Sequence, residues 1–258
     1  MLKAILWDVD GTLAETERDG HRVAFNQAFE ALGLPWRWDE RRYGELLRVS
    51  GGRERLLHDM ASRSDAPVLA AERLALAREL HARKTTLYAT WLRRQRIDLR
   101  DGVAPLIEQA RREGLRQAIV TTTSRANVEA LLELHFGAAW PQRFEALICG
   151  EDVRHKKPDP EAYEVALSTL GLSAVEAVAL EDSPGGVAAA RSAGVAVVVT
   201  RSHYFNDAPI DAATAIGPGL HTRQGWLPAP APPLDDGGIT VDDLRNWCAQ
   251  METVSHWP

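Results

Sequence analysis

The stretch that decides the fold is residues 3–13, which read KAILWDVDGTL. Its first part is a short apolar run that ends at an acid, a pattern typical of a buried strand. Asp8 and Asp10 are two residues apart, so on an extended backbone their side chains point the same way. Gly11 then lets the chain leave the strand in a conformation that other residues resist. The stretch therefore predicts a strand that presents two carboxylates at its carboxyl end.

Two such carboxylates suit phosphoryl chemistry. One of them can attack phosphorus, while the other, when protonated, delivers a proton to the leaving oxygen. An isolated Asp-x-Asp pair is more often an acidic turn that ends a strand. The complete run DVDGTL at residues 8–13, placed directly after a strand, favours the catalytic interpretation.

From Gly102 onward, helical patterns alternate with strand patterns. The predicted helices are residues 104–112, a pattern that carries Val128, Leu131, Leu132 and Leu134, a helix between Pro160 and Gly171, and residues 184–193; the predicted strands are residues 117–121, 144–149, 177–180 and 195–199. Such alternation with short loops predicts an α/β fold with a doubly wound parallel sheet. In that architecture ligands bind beyond the carboxyl ends of the strands.

Residues 21–97 have a different texture, because helical spacing recurs there without a convincing strand pattern. They have the pattern of an all-α unit inserted after the first strand. We therefore predict a Rossmann-like α/β core formed by residues 1–15 and 98–258, and an all-α cap domain formed by residues 16–97. In the tail, the proline-rich residues 225–238 predict a loop and residues 241–251 a short closing helix.

The composition is that of an ordinary globular protein. The chain has 258 residues, of which 45% are hydrophobic and 26% charged, and its formal net charge is −6. This acidic balance offers no general attraction to nucleic acid or anionic lipid, so neither is an expected partner. The apolar runs are far shorter than the roughly 20 residues of a membrane helix, and Cys149 and Cys248 are expected to be free thiols. We expect a cytoplasmic monomer.

Three further motifs fall at or just after the ends of other predicted strands. They are TTTS at residues 121–124, KKPDP at residues 156–160 and EDS at residues 181–183. Hydroxyls and amides at the start of a helix suit phosphate oxygens, a lysine neutralises phosphate, and carboxylates hold a hard cation. Each motif alone has an ordinary explanation as a helix cap or a solvated charge. Together, at one edge of a sheet, they favour a phosphate site.

In order and approximate spacing, this set of motifs resembles the haloacid dehalogenase superfamily of phosphotransferases. The helical insert is similar to the small α-helical cap of that superfamily, placed as in its β-phosphoglucomutase branch. A closer resemblance is to the CbbY-type subgroup, known as phosphatases of xylulose-1,5-bisphosphate. It rests on AETERDGHR at residues 14–22, AFN at residues 24–26 and SGGRE at residues 50–54.

The resemblance implies a role for each matching residue of the core. Asp8 is the expected nucleophile, which becomes an aspartyl-phosphate and also binds Mg²⁺. Asp10 is the expected general acid–base, with its backbone carbonyl on the metal, and Asp182 is the remaining carboxylate ligand, with Glu181 beside it orienting waters. The other expected phosphate-binding residues are Thr122, Thr123 and Lys157. Magnesium suits such a site because its ligands are all oxygens.

The resemblance also implies contacts from the cap. Arg53 matches an arginine that grips a distal phosphate, and Lys84 matches a cap lysine that faces the cleft. The remaining expected substrate contacts are Thr16, Glu17, Ser50, Gly51 and Gly52. His21 either touches the substrate or packs in the hinge. In the competing interpretation, Arg53 and Lys84 belong to the charged faces of exposed helices.

These expectations define a magnesium-dependent phosphatase with a small phosphorylated sugar as its partner. The expected reaction is hydrolysis of a sugar (bis)phosphate, xylulose-1,5-bisphosphate to xylulose 5-phosphate, through an aspartyl-phosphate. A mutase of the β-phosphoglucomutase kind uses the same residues and remains an alternative. A non-catalytic sugar-phosphate sensor is disfavoured because every catalytic position is filled, and a dehalogenase is disfavoured because it does not need Asp10.

Overall fold

The computed structural model describes residues 1–232 and 237–254, with residues 251–254 described by their backbone alone. The strands are β1 (Ala4–Trp7), β2 (Arg116–Val120), β3 (Ala146–Ile148), β4 (Ala177–Glu181), β5 (Ala196–Thr200) and β6 (Ala215–Gly217). They form one sheet in the order β3-β2-β1-β4-β5-β6, and all neighbouring strands are parallel. The parallel α/β sheet expected from the sequence is confirmed.

The helices lie in two stretches of the chain, one between β1 and β2 and one after β2. Between β1 and β2 lie a π-helical turn at Glu17–His21 and the helices α1 (Arg22–Ala31), α2 (Glu40–Leu46), α3 (Gly52–Ala61), α4 (Ala70–Gln95) and α5 (Val103–Arg112). The later helices are α6 (Arg125–Phe136), α7 (Glu161–Leu170), α8 (Pro184–Ser192) and α9 (Val241–Val254). We call the π-helical turn together with α1–α4 the cap, and the sheet with α5–α9 the core. Across the described ranges, the helices include none with the length and apolar character needed to span a membrane.

The centre of the sheet is β1, which is buried along its whole length. Ile5 and Trp7 face one hydrophobic cluster, while the alternate residues of the strand face a second cluster on the other side of the sheet. Trp7 pairs with Ile119 of β2 and with Leu180 of β4. The three strands therefore end almost level, and the residues that follow them meet at one edge.

The cap has an apolar centre of its own. Its aromatic residues are Phe25, Phe29, Trp36, Trp38 and Tyr43, all buried. Asn26 of α1 holds the following loop, because its side chain donates to the Trp38 carbonyl at 2.9 Å and accepts from the Trp38 amide at 2.8 Å. These aromatic residues pack in one hydrophobic cluster to which α1, α2, α3 and α4 all contribute buried side chains. Residues 16 and 97 remain our predicted limits of this unit.

The structure contains one strand that the sequence analysis missed. β6 has three residues, too few for an alternating pattern to appear in the sequence. It forms because the edge of β5 offers unpaired backbone groups, so that Val198 pairs with Ala215 and Thr200 with Gly217. Within the predicted loop at residues 225–238, residues 225–232 contain no helix, and residues 233–236 lie outside the described residues.

The closing helix α9 belongs to the hydrophobic core. Trp247 of α9 is 1% exposed, and its ring centroid lies 4.9 Å from that of Trp226. Its indole nitrogen donates to the Pro228 carbonyl at 3.1 Å. Asp243, also buried, accepts from Arg223 at 2.7 Å. The C-terminal segment therefore contributes to the stability of the core.

Trp247→Ala tests this contribution. The substitution removes a large buried ring and leaves a cavity, so we expect the free energy of unfolding to fall by about 3–5 kcal/mol. Urea denaturation followed by circular dichroism measures this change. Val175→Ala, at a position that is 64% exposed, is the control and changes the stability by less than about 0.5 kcal/mol. A loss below about 1 kcal/mol for Trp247→Ala contradicts the assignment.

Candidate active site

The level strand ends bring three charged side chains into contact. Lys157 follows β3 in the chain, and its ammonium donates to Asp8 at 2.8 Å, to Glu181 at 2.6 Å and to the Val120 carbonyl at 2.7 Å. Asp8 follows β1 and Glu181 is the last residue of β4. Burial disfavours the charge on Lys157, but the two carboxylates outweigh it and raise the pKa of the ammonium. Lys157 is therefore held charged between the two carboxylates.

Negative charge is concentrated beside this lysine. Carboxylate oxygens of Asp8, Glu181 and Asp182 all lie within 4.8 Å of one another, and the three residues are buried. Burial, more than the neighbouring carboxylates, raises the pKa of Asp8 to about 8 in spite of Lys157. The pKa of Asp182 is also well above its usual range, because of burial and the charges of Asp8 and Glu181. A divalent cation relieves this repulsion, so the donor set fits a hard metal ion.

The three carboxylates are not equally free to bind a cation. One oxygen of Glu181 accepts from Lys157 and also from the Tyr163 hydroxyl at 2.6 Å. Its other oxygen faces the amide of Asp182 at 3.3 Å. Both oxygens of Glu181 are therefore occupied by protein donors, and this carboxylate holds the Lys157 ammonium in place. Asp8 and Asp182 are the carboxylates with the greater capacity left for a metal.

Gly11 allows Asp182 to come close to the loop after β1. Its φ is +94°, in the left-handed region that favours glycine. A Cβ atom at this position would lie 2.0 Å from the Asp182 carboxylate. Both the backbone turn and the approach of the carboxylate therefore require glycine.

Asp10 faces the cap side of the site. Its carboxylate accepts from the Thr16 hydroxyl at 2.5 Å and contacts His21 Nε2 at 2.8 Å. His21 Nδ1 lies 2.7 Å from the ammonium of Lys84. A charged lysine only donates, so His21 Nδ1 accepts and its Nε2 proton points at Asp10. Burial raises the pKa of Asp10, but His21 and Thr16 outweigh it and lower that pKa to about 2.

A second buried group in the cap was not predicted from the sequence. The Tyr43 hydroxyl donates to Glu17 and accepts from Arg55 at 2.7 Å. Arg55 also lies 3.4 Å from Glu17 and is 5% exposed. The sequence singled out Glu17 alone, because the approach of α2 and α3 that assembles this group is a tertiary feature. A buried arginine is usually paired, as it is here.

Two small cavities adjoin these groups. The inner cavity, of about 60 Å³, is lined by the predicted residues Asp8, Asp10, Glu17, Ser50, Thr122, Lys157 and Asp182, together with Arg55 and Phe205. A second cavity, of about 30 Å³, is lined by Asp10 and the predicted residues Gly51, Gly52, Lys84 and Thr123, together with His21 and others. Thr16 is fully buried and reaches the site through its bond to Asp10.

Arg53 stands apart from both small cavities. Its side chain is 47% exposed and pairs with Glu54 at 3.1 Å. It lines a larger outer cavity, of about 700 Å³, which also reaches Thr122 and Lys157. A continuous cleft therefore leads from Lys157 to Arg53, while the arginine at the inner cavity is Arg55.

The chain is similar to known proteins over most of its length. Residues 2–194 match the haloacid dehalogenase-like hydrolase family. CbbY of Rhodobacter capsulatus is 44% identical over 212 residues, 82% of this chain and 91% of that protein. The crystal structure of CbbY from Rhodobacter sphaeroides in complex with phosphate has a TM-score of 0.77 at 41% identity, covering 83% of this chain and 92% of that chain. A mutant of that protein in complex with xylulose-1,5-bisphosphate has the same TM-score of 0.77, identity of 41% and coverage of 83% and 92%.

The chain therefore belongs to the haloacid dehalogenase-like hydrolases. Within that family it is similar to the CbbY proteins, and it is an enzyme, a phosphatase.

The contact between Lys84 and His21 predicts a pH dependence. Burial lowers the pKa of Lys84 to about 8, against the opposing effect of Asp10. Below this pH the ammonium holds the His21 tautomer that donates to Asp10; above it, the ammonium loses its proton. We therefore expect kcat/KM, measured from pH 5.5 to 9.5 with a small phosphate monoester and a saturating divalent cation, whose charge keeps Asp8 ionised, to fall on the basic side with a midpoint near pH 8.

Two lysine variants check the assignment. Lys84→Gln removes the fall in kcat/KM near pH 8 and lowers kcat/KM by roughly 10- to 100-fold. This loss is smaller than the loss of a general acid itself would be, because Asp10 is still present. Lys156→Gln is the control, because Lys156 pairs with Glu54 at 2.8 Å at the cleft mouth. It leaves the fall near pH 8 in place. A fall near pH 8 that persists in Lys84→Gln contradicts the assignment.

Proposed function

We propose that this phosphatase hydrolyses a phosphorylated sugar with Mg²⁺ as its cofactor, through a phosphoryl group carried by Asp8. The proposed substrate is a ketopentose bisphosphate such as xylulose-1,5-bisphosphate. The observation that carries the proposal is the placement of Asp8 beside Lys157 and of Asp10 beside His21, with both aspartates lining one inner cavity.

The first step is attack on phosphorus by the carboxylate of Asp8. A bond forms between an Asp8 oxygen and phosphorus, and the bond from phosphorus to the sugar oxygen breaks. Asp10 gives its proton to that sugar oxygen. Lys157 and the residues around Thr122 bind the remaining phosphate oxygens, since phosphoryl transfer depends mainly on positioning and neutralisation.

The second step hydrolyses the aspartyl-phosphate. Asp10, now a carboxylate, takes a proton from a water that attacks phosphorus, and free phosphate and Asp8 result. His21 and Thr16 lower the pKa of Asp10 to about 2, so that its side chain is ionised at neutral pH. The ionised carboxylate is the form that this step requires of the base. The negative charge of a bound phosphate raises that pKa, which favours protonated Asp10 in the first step.

The metal site is formed by residues of the core. The carboxylates of Asp8 and Asp182 and the backbone carbonyl of Asp10 would hold Mg²⁺. When bound, the ion neutralises charge on the transferring phosphoryl group. Its oxygen ligands are those that Mg²⁺ prefers. Asp10 thus keeps its side chain for proton transfer.

Two observations support a substrate with two charged ends. The outer cavity extends from Thr122 and Lys157 to Arg53, and it is also lined by the basic residues Lys156 and Arg154. Similarity to the CbbY protein that was crystallised with xylulose-1,5-bisphosphate points to the same chemistry. One phosphate would lie beside Lys157 and the other beside Arg53.

A phosphate-release screen tests the proposed function. The panel contains mono- and bisphosphates of ketopentoses and aldohexoses, with and without Mg²⁺. We expect the highest kcat/KM for a ketopentose bisphosphate with Mg²⁺ present. Preference for a sugar monophosphate contradicts the bisphosphate assignment, and release at the full rate without a divalent cation contradicts the metal assignment.

Arg53→Met tests the second phosphate site in the same assay. Losing one charge-assisted contact costs about 2–4 kcal/mol, so kcat/KM for the bisphosphate falls by roughly 30- to 1,000-fold. Hydrolysis of a small monoester stays nearly unchanged, because Asp8 and Lys157 are intact. Arg48→Met, at an exposed arginine near α3, is the matched control. If Arg53 only pairs with Glu54, the variant loses less than about fivefold on both substrates.

A further inference from the structure

A segment of the core reaches the cap directly after β5. The Ser202 side chain lies beside the Asp182 carboxylate and opposes the rise of its pKa, and the backbone amide of His203 donates to Glu15 at 3.2 Å. The segment therefore begins beside Asp182 and is tied to Glu15 of the loop after β1. The next residue, Tyr204, extends toward the cap.

Tyr204 joins the aromatic core of the cap. Its ring centroid lies 5.8 Å from that of Tyr43, and the two ring planes meet at 55°. The side chain packs against the cluster that contains the buried aromatics of the cap. A Cβ atom on Gly44 would come within 3.1 Å of the Tyr204 ring, so the small residue on α2 makes room for it. This tilted contact between a core residue and a cap residue is apolar and is not screened by salt.

Tyr43 connects this contact to the inner cavity. On one side it packs against Tyr204, and its hydroxyl donates to Glu17 and accepts from Arg55. Glu17 and Arg55 line the inner cavity, as does Phe205, the neighbour of Tyr204. A shift of Tyr43 would therefore displace the groups that face the substrate.

We propose that Tyr204 is a positioning residue, whose ring holds Tyr43, and through it Glu17 and Arg55, in place when the cap lies against the core. The proposal rests on the proposed function, because it assumes a sugar that reaches Glu17 and Arg55. Lys156 and Glu54 also connect core and cap, at 2.8 Å, but this ion pair is partly exposed and therefore weaker.

The ring of Tyr204, and not its hydroxyl, carries this role. The hydroxyl is buried and has no hydrogen-bond partner of good geometry among the described residues, although the Arg22 guanidinium lies near it. Tyr204→Phe keeps the ring and is expected to preserve function. Tyr204→Ala removes the contact with Tyr43.

Kinetics with two substrates test the proposal. Tyr204→Ala lowers kcat/KM for the best phosphorylated sugar of the panel by about 10- to 100-fold, whereas hydrolysis of p-nitrophenyl phosphate, which has no sugar hydroxyls for Glu17 to bind, changes less than about threefold. Tyr204→Phe retains most of the activity. Asn206→Ala, at an exposed position in the same segment, is the control. Equal losses on both substrates overturn the proposal.

A double-mutant cycle with Glu17→Gln tests the route through Tyr43. If Tyr204 acts through Glu17, the two substitutions are not additive, and Tyr204→Ala adds little to Glu17→Gln. Additive losses overturn the route. The amide oxygen of Glu17→Gln can still accept from the Tyr43 hydroxyl, but the negative charge facing Arg55 is lost. Both substrates, the phosphorylated sugar and p-nitrophenyl phosphate, are therefore measured for every variant of the cycle.

Hydrogen exchange separates this proposal from the proposed function. In the ligand-free protein, Tyr204→Ala speeds amide exchange in α2 (Glu40–Leu46), whereas Tyr204→Phe and Asn206→Ala do not. Unchanged exchange in α2 overturns the proposal. This measurement needs no substrate. It therefore tests the role of Tyr204 even if the screen shows that the substrate is not the proposed sugar.

Discussion

The buried ammonium of Lys157 is the contact on which the active site depends. It binds Asp8 after β1 and Glu181 at the end of β4, two carboxylates that would otherwise face each other inside the sheet edge. Removing one partner of such a buried pair costs about 3–5 kcal/mol, because the remaining charge is left uncompensated. The register that places β1 beside β4 therefore fixes Asp8, the proposed nucleophile, and the lysine makes that register compatible with two buried acids.

The second aspartate responds to a different part of the molecule. Asp8 is held by the core, whereas Asp10 is bonded to Thr16 and to His21, whose ring contacts Lys84 of the cap helix α4. The chain therefore places Asp8, the proposed nucleophile, at the edge of the sheet, and Asp10, the proposed proton-transfer group, in contact with His21 beside the cap helices. His21 and Thr16 keep the pKa of Asp10 low, whereas the bond that holds Asp8 comes from Lys157 of the core.

The sequence predicted the parts that depend on local patterns. The parallel sheet was predicted from apolar runs separated by short loops. Asp8, Asp10 and Lys157 were predicted from motifs near the carboxyl ends of strands, where ligands bind to a parallel sheet. The sequence did not show Arg55, Tyr43 or β6. Arg55 and Tyr43 meet only because α2 and α3 pack side by side, and β6 becomes a strand only because β5 offers its edge.

Trapping the phosphoryl group tests the central claim most directly, that Asp8 carries it. Wild-type protein is mixed with ³²P-labelled substrate and Mg²⁺, quenched in acid within milliseconds and digested. We expect label on the peptide that contains residues 3–13, none in Asp8→Asn, and turnover of Asp8→Asn below about a thousandth of wild type. Rapid phosphate release without labelled protein, together with an active Asp8→Asn, would contradict the account.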